Sequence, residues 1–121
     1  MYNIILLIML ILLDQITKFF LTTTVNTGAA FSIFTGQRFF LIAISLLVIL
    51  FILKYYKKKE YQLSLTFILA GTIGNLIDRI FLGHVRDFID IKFWPVFNVA
   101  DSLIVIGALY LGYKMWKKSH S

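Results

Sequence analysis

The sequence predicts an all-α membrane protein with four transmembrane helices, both termini in the cytoplasm, and small extended or loop elements on the extracytoplasmic side. Of its 121 residues, 60% are hydrophobic, well above the roughly 45–50% of soluble domains. They form four long apolar runs, each about the length that a spanning helix requires. Lysines cluster at the ends of two runs, as cytoplasmic anchors do. We therefore expect residues 1–121 to form a single integral membrane domain.

The four helices are expected at approximately residues 2–21, 39–56, 61–79 and 98–116. Each run is continuous, whereas the strands of a membrane barrel alternate between apolar and polar residues. The single proline, Pro95, stands just before the fourth run, where it fits a loop or the entry to a helix.

Lysines set the expected orientation. Lys54 and Lys57–Lys59 follow the second run, and Lys114, Lys117 and Lys118 end the fourth. Because cytoplasmic segments are rich in lysine and arginine, the second connection and the C-terminus are expected in the cytoplasm. The first and third connections then lie on the extracytoplasmic side. The net charge of +6 therefore reflects orientation, and we expect no nucleic-acid partner.

Composition excludes several kinds of site. With no cysteine, the chain has no disulfide, thiol nucleophile or cysteine-ligated metal. Only two histidines occur, fewer than the three or four ligands that a histidine-based zinc site uses. We expect no metal and no cofactor.

Polar residues occur where the first and third helices approach the long connections, and such residues are costly at membrane depth. Asp14 and Lys18 are one helical turn apart and can form an ion pair; alternatively, they only mark the end of the first span. Asn75 and Asp78 share a helix face, and Arg79 offers paired donors to carboxylates. The alternative for these three is a polar helix cap.

Two acids, Asp87 and Asp101, flank one short connection, as the carboxylates of a hydrolase would. Asp87 taken alone is an ordinary loop carboxylate. Asp101 is also explained as the N3 residue of a capping box whose N-cap is Asn98. Capping and catalysis are compatible, because the dipole at a helix N-terminus favours an ionised Asp101. Upstream, Asn26 and Gly28 belong either to a turn or to an extended segment along which a peptide could lie.

Taken together, these segments resemble the lipoprotein signal peptidases of bacteria, also called type II signal peptidases. Five stretches match in family order, namely Asp14–Lys18, Asn26–Ser32, Gly74–Arg79, Val85–Phe88 and Phe97–Ser102. The resemblance implies an aspartic endopeptidase of the bacterial inner membrane, with its active site toward the extracytoplasmic face. Such enzymes remove the signal peptide of a prolipoprotein by cutting before a cysteine that carries diacylglycerol.

The resemblance also implies roles for individual residues. The catalytic pair is Asp87 and Asp101. The other motif positions support the pair or line the substrate site, and these are Asp14, Lys18, Asn26, Gly28, Asn75, Asp78, Arg79, Asn98 and Ala100. Two partners are expected: the prolipoprotein signal peptide with its diacylglyceryl cysteine, and the lipid of the membrane. The chain is expected to act as a monomer.

Two features depart from the family pattern. Only seven residues, 19–25, separate Lys18 from Asn26, where the family carries a much longer extracytoplasmic segment that contributes a small sheet. We expect most of that segment to be missing. Arg86 stands where an apolar residue is common, and its cation would lower the pKa of Asp87 if it pointed the same way.

A second class of protein fits part of the pattern. Small proton-coupled exporters also have four helices and one essential acid in the first, a role that Asp14 could fill. That alternative requires an acid near mid-membrane, whereas here the acids gather toward one membrane face and Lys18 lies one turn from Asp14. A purely structural subunit would leave the polar clusters unexplained.

Overall fold

The computed structural model describes residues 2–28 and 36–121, and its helices agree with the all-α membrane class. Its elements in chain order are α1 (Tyr2–Leu21), β1 (Thr24–Asn26), α2 (Arg38–Tyr55), α3 (Gln62–Phe81), β2 (Val85–Asp87) and α4 (Val99–Ser119). A single 3₁₀ turn, Lys59–Tyr61, precedes α3. The helix bounds lie within three residues of those expected from the apolar runs.

Four helices are long and apolar enough to cross a membrane, which confirms the number of spans predicted. The spans are Asn3–Leu21, Arg38–Tyr55, Lys59–Phe81 and Val99–Ser119. Large apolar side chains cover the outer faces, as at Leu47 and Leu109, which are 65% and 70% exposed. Apolar surface of this extent requires lipid around it.

The third span is the central one. In its most apolar 18-residue stretch 67% of the residues are buried, against 11%, 17% and 22% in the corresponding stretches of the other three. Helix α3 packs against α1, α2 and α4, so it forms the core of the bundle. Because α2 and α4 both rest on α3, a groove runs between them.

Close packing of α3 against α4 depends on glycine. A Cβ at Gly107 would lie 2.8 Å from the main-chain oxygen of Ser64 and 2.7 Å from Cγ1 of Ile68. A Cβ at Gly71 would collide with the main-chain oxygen of Ala100. Small residues let helix backbones approach closely in membranes, where helix packing has no hydrophobic driving force.

The two halves of the bundle differ in their interiors. At the lysine-rich end, Ile52, Leu65 and Leu69 form an apolar core. At the opposite end, the buried side chains are mostly polar or charged, as at Lys18 and Asn98. A small antiparallel sheet covers this polar end, where β1 pairs with β2.

We predict that Gly107→Ala destabilises the protein by about 1–3 kcal/mol, because the new methyl group has no room against the α3 backbone. Gly112→Ala is the matched control, since a Cβ at this other α4 glycine meets nothing within 4 Å. Alanine should there be neutral or slightly stabilising. Unfolding midpoints in detergent measure both variants, and equal midpoints would contradict the packing described here.

Candidate active site

Asp87 and Asp101 are brought together by the residue that caps α4. Asn98 Nδ2 donates to Asp87 Oδ1 at 2.8 Å, and the Asn98 main-chain N–H donates to Asp101 Oδ2 at 3.3 Å. Asp101 N–H returns a bond to Asn98 Oδ1 at 2.8 Å, completing the predicted capping box. Both carboxylates are only 2% exposed. One residue therefore contacts both acids.

Asn75 provides a second connection, from the middle of the bundle. Its Nδ2 donates to Asp101 Oδ1 at 3.0 Å. Its Oδ1 accepts from Lys18 Nζ and from Asn98 Nδ2, each at 3.1 Å. These two acceptor contacts fix which way the amide faces, so Asn75 presents a donor to Asp101.

Lys18 lies at the centre of a buried ionic cluster. Its ammonium nitrogen is 2.7 Å from Asp14 Oδ2 and 3.3 Å from Asp78 Oδ2, and all three side chains are 0% exposed. It also donates to the main-chain oxygen of Gly74 at 3.3 Å. The predicted Asp14–Lys18 ion pair is thus present, and it lies inside the bundle rather than at an exposed helix end.

Asp14 connects this cluster to the first turn of α4 by a hydrogen bond. Its Oδ1 accepts from the Ala100 main-chain N–H at 2.9 Å. Gly74 makes the approach possible, because a Cβ there would collide with the Asp14 carboxylate. Ala100 acts through its main chain, one residue before Asp101.

Arg79 joins the end of α3 to the segment after β1. Its Nη2 donates to the Gly28 main-chain oxygen at 3.0 Å, and Gly28 N–H donates to Asn26 Oδ1 at 2.7 Å. Arg79 Nε is buried with no hydrogen-bond partner within residues 2–28 and 36–121. The rest of this motif, residues 29–32, lies outside the described residues.

The condition stated for Arg86, that its cation points toward Asp87, is not met. Its guanidinium turns away from Asp87 and pairs with Asp78 Oδ1 at 2.9 Å, and it donates to Gln15 Oε1 at 2.8 Å. The pKa of Asp87 is raised to about 7, first because burial disfavours the charged carboxylate and then because the Asp101 carboxylate repels it. Hydrogen bonds from Asn98 and Asn26 only partly oppose this rise.

Two apolar cavities reach the polar end of the bundle. One, of about 200 Å³, lies in the groove between α2 and α4, with Asn75 and Arg79 at its polar end. The other, of about 390 Å³, lies between α4 and the connection before it, and its lining includes Phe93, Trp94 and Asp101. Asp101 therefore borders the second cavity, whereas neither acid of the pair lines the first.

Further along the same groove, α2, α3 and α4 line a third cavity of about 310 Å³. Its wall includes Phe51, Leu65 and Leu111, and Lys58 lies at its far end. The groove thus extends from the polar site toward the lysine-rich end of the bundle.

All eleven residues expected at the site lie in one connected network, namely Asp14, Lys18, Asn26, Gly28, Asn75, Asp78, Arg79, Asp87, Asn98, Ala100 and Asp101. Sequence reasoning missed Gln15, which donates to Asp78 Oδ1 at 3.2 Å and to the Gly74 main-chain oxygen at 3.1 Å. A glutamine within an apolar span was the available signal.

Asp14, held by Lys18 and Ala100, does not have the free mid-membrane position that an exporter requires. Among the described residues, no group of three or more His, Cys, Asp or Glu side chains could hold a metal ion.

Known proteins share this sequence pattern and fold. The family model described as signal peptidase (SPase) II matches residues 6–117. A lipoprotein signal peptidase of Halothermothrix orenii is 47% identical over 104 residues, which cover 83% of this chain and 72% of the relative. One of Caldanaerobacter subterraneus subsp. tengcongensis is 50% identical over 102 residues, covering 80% and 70%. A solved structure described as a bacterial membrane enzyme superposes with a TM-score of 0.90 at 26% identity, covering 98% of this chain and 89% of the other.

We predict that Lys18→Met destabilises the protein by about 3 kcal/mol or more, because it leaves the Asp14 and Asp78 carboxylates buried with too few cations. Lys118→Met is the control, since its ion pair with Glu60 is exposed and such pairs contribute little. Unfolding in detergent measures both. Similar midpoints for the two variants would show that the buried cluster does not support the fold.

Proposed function

The chain belongs to the signal peptidase II family, and we propose that it cleaves as an aspartic endopeptidase with Asp87 and Asp101 as its catalytic pair. Family membership makes it a membrane-embedded lipoprotein signal peptidase, whose substrates are prolipoproteins. One observation carries the proposal of the pair. Asn98 contacts both buried carboxylates at the start of α4.

The pair shares one proton. Asp87, with its pKa raised to about 7, is the protonated member at neutral pH. Asp101 is the ionised member, because it accepts from Asn75 Nδ2 and from the Asn98 main-chain N–H and stands in the first turn of a helix, where the dipole favours an anion. Two neighbouring carboxylates of opposite protonation state divide acid and base roles between them.

Cleavage follows from this division. The Asp101 carboxylate takes a proton from a water molecule whose oxygen attacks the scissile carbonyl, and Asp87 gives its proton to the carbonyl oxygen. When the C–N bond breaks, Asp101 gives its proton to the leaving nitrogen. One hydroxyl of the tetrahedral intermediate returns a proton to Asp87, and the starting protonation states are restored.

The groove between α2 and α4 is the proposed site of the signal helix. Its α3 wall runs from Leu65 near one end to Asn75 and Arg79 near the other. At 1.5 Å per residue, this wall is about 21 Å long, which is most of the roughly 30 Å thickness of the hydrocarbon core. Arg79 Nε is buried without a partner among the described residues, and it would donate to a main-chain oxygen of the peptide.

The second cavity is the proposed site of the diacylglyceryl chains. Its lining is apolar except near Asp101 and Ser102, and it includes Phe93 and Trp94. An acylated cysteine with its chains in this cavity would present the preceding peptide bond to the two carboxylates. Acyl chains and signal helix would then approach the pair from different sides, and each would stay in lipid.

The charge distribution supports an active site on the extracytoplasmic face of the inner membrane. Seven lysines lie at the end of the bundle opposite the pair, namely Lys54, Lys57, Lys58, Lys59, Lys114, Lys117 and Lys118. Among residues 2–28 and 36–121, Glu60 is the only acid at that end. The positive-inside rule assigns such an end to the cytoplasm. We also propose that the chain acts as a monomer, since the network of the site is formed within one chain.

We predict that Asp87→Asn and Asp101→Asn each lower the cleavage of a diacylglyceryl-modified prolipoprotein by at least about 10³-fold. Each substitution removes one of the two proton-transfer groups and keeps the side-chain size. The purified protein in lipid is incubated with substrate, and the released signal peptide is quantified.

Asp90→Asn is the matched control, because this nearby acid is exposed and pairs only with the exposed Lys92 among the described residues. It should cleave like the wild type. Cleavage by the double variant Asp87→Asn/Asp101→Asn would refute the catalytic pair, whereas a folded wild type that cleaves no prolipoprotein would refute the activity itself.

We predict that kcat/KM declines as the pH rises above about 7, because Asp87 loses the proton that it must donate. A single lost proton gives a decline of about tenfold per pH unit. Cleavage is measured from pH 5 to pH 9 with folding monitored in parallel. A rate that stays constant to pH 9 would contradict the assignment of Asp87 as the acid.

A further inference from the structure

We infer that Arg86 is a positioning residue, which holds the strand that carries Asp87 in register against α1 and α3. The inference rests on the proposed function, since it assigns Arg86 a role relative to a catalytic Asp87. It concerns a residue that turns away from the reacting groups and acts on them through the main chain.

The strand that carries Asp87 is too short to fix this side chain alone. β1 and β2 have three residues each, and Asp87 is the last residue of β2. Isolated two-stranded sheets are marginal in stability, and a slip of one residue would turn Asp87 to the opposite face. Contacts outside the sheet must therefore define the position of Asp87.

The main chain at Arg86 makes two such contacts. Its N–H donates to Asp78 Oδ2 at 3.0 Å, and its carbonyl oxygen accepts from Asn98 Nδ2 at 3.2 Å. The same Asn98 nitrogen donates to Asp87 Oδ1 at 2.8 Å. A shift of the backbone at Arg86 would thus disturb the hydrogen bond of the catalytic carboxylate itself.

The guanidinium adds contacts with two helices. Nη2 lies 2.9 Å from Asp78 Oδ1 and Nε lies 3.2 Å from Asp78 Oδ2, which is the paired geometry that makes arginine–carboxylate contacts specific. Nη2 also donates to Gln15 Oε1 of α1 at 2.8 Å. Asp78 therefore binds both the main chain and the side chain of Arg86, while Lys18 holds Asp78 at 3.3 Å.

These contacts explain why arginine is needed. A lysine carries the same charge but has one nitrogen, so it cannot bond both oxygens of Asp78 in a fixed plane and reach Gln15 as well. Without Arg86, Asp78 keeps its ion pair with Lys18 and the apolar core at the other end of the bundle is unchanged, so Arg86→Met should destabilise the fold less than Lys18→Met. Loss of the guanidinium contacts with Asp78 and Gln15 should consequently change the position of Asp87 more than it lowers the stability of the fold.

Arg86→Met and Arg86→Lys test the inference, with Lys92→Met as the control for loss of a nearby exposed cation. We expect kcat for prolipoprotein cleavage to fall about 100-fold in Arg86→Met, as for a displacement of about 1 Å. KM should change by less than about twofold, because the two apolar cavities remain intact. Arg86→Lys should recover only a small part of kcat, and Lys92→Met should match the wild type.

The rates are expressed per folded molecule, with unfolding midpoints measured for every variant. If Arg86→Met lowers the midpoint but keeps kcat, Arg86 only stabilises the fold and the inference is overturned. A raised KM with unchanged kcat, or full recovery by Arg86→Lys, would also overturn it. If Arg86→Met does not fold, the kcat of Arg86→Lys tests the inference, since this variant keeps the cation but loses the paired contact with both Asp78 oxygens. Failure of the proposed function is distinct, because it would appear as absent cleavage by the folded wild type.

Discussion

The structure depends most on the contact between the Lys18 ammonium group and the carboxylates of Asp14 and Asp78. These three fully buried groups join α1 to α3, and Asp14 extends the connection to the first turn of α4. Buried charges are tolerated only when they are paired and hydrogen-bonded, so each partner fixes the next. The carboxylates of the proposed catalytic pair lie at the edge of this cluster, and Asn75 connects Lys18 to Asp101 by hydrogen bonds.

Charge balance connects the cluster to the chemistry. Asp14 and Asp78 balance Lys18 and Arg86 through direct contacts, so this part of the site has no net charge. Arg79 interacts electrostatically with Asp101, Asp78 and Asp87, so the whole site has three cations and four carboxyl groups. With one proton on the pair of Asp87 and Asp101, the buried site has no net charge. A low-dielectric environment favours this neutral state over one in which both acids are ionised.

Local spacing in the sequence predicted the helices and the contacts between near neighbours at the site, whereas the full set of site residues came from the resemblance to the family. The apolar runs defined the spans, the four-residue interval of Asp14 and Lys18 indicated an ion pair, and Asn98 with Asp101 matched a capping box. The direction of the Arg86 side chain could not be predicted from the sequence, since it depends on where Asp78 at the end of α3 lies relative to β2 in the folded chain. The groove also escaped prediction, because it exists only when α2 and α4 pack on the same helix. The membrane orientation rests on lysine placement and remains a prediction.

Within the described residues, the side chains that contact the two carboxylates come from β1, α3 and the start of α4, at Asn26, Asn75 and Asn98. Helix α2 instead supplies apolar groove residues such as Leu41 and Val48. In the proposed mode of binding, the α2 wall of the groove thus contacts the signal helix but not the two carboxylates. Evolution can change the α2 wall to suit new signal sequences while selection preserves the carboxylate network, so substrate range can diverge without loss of the chemistry.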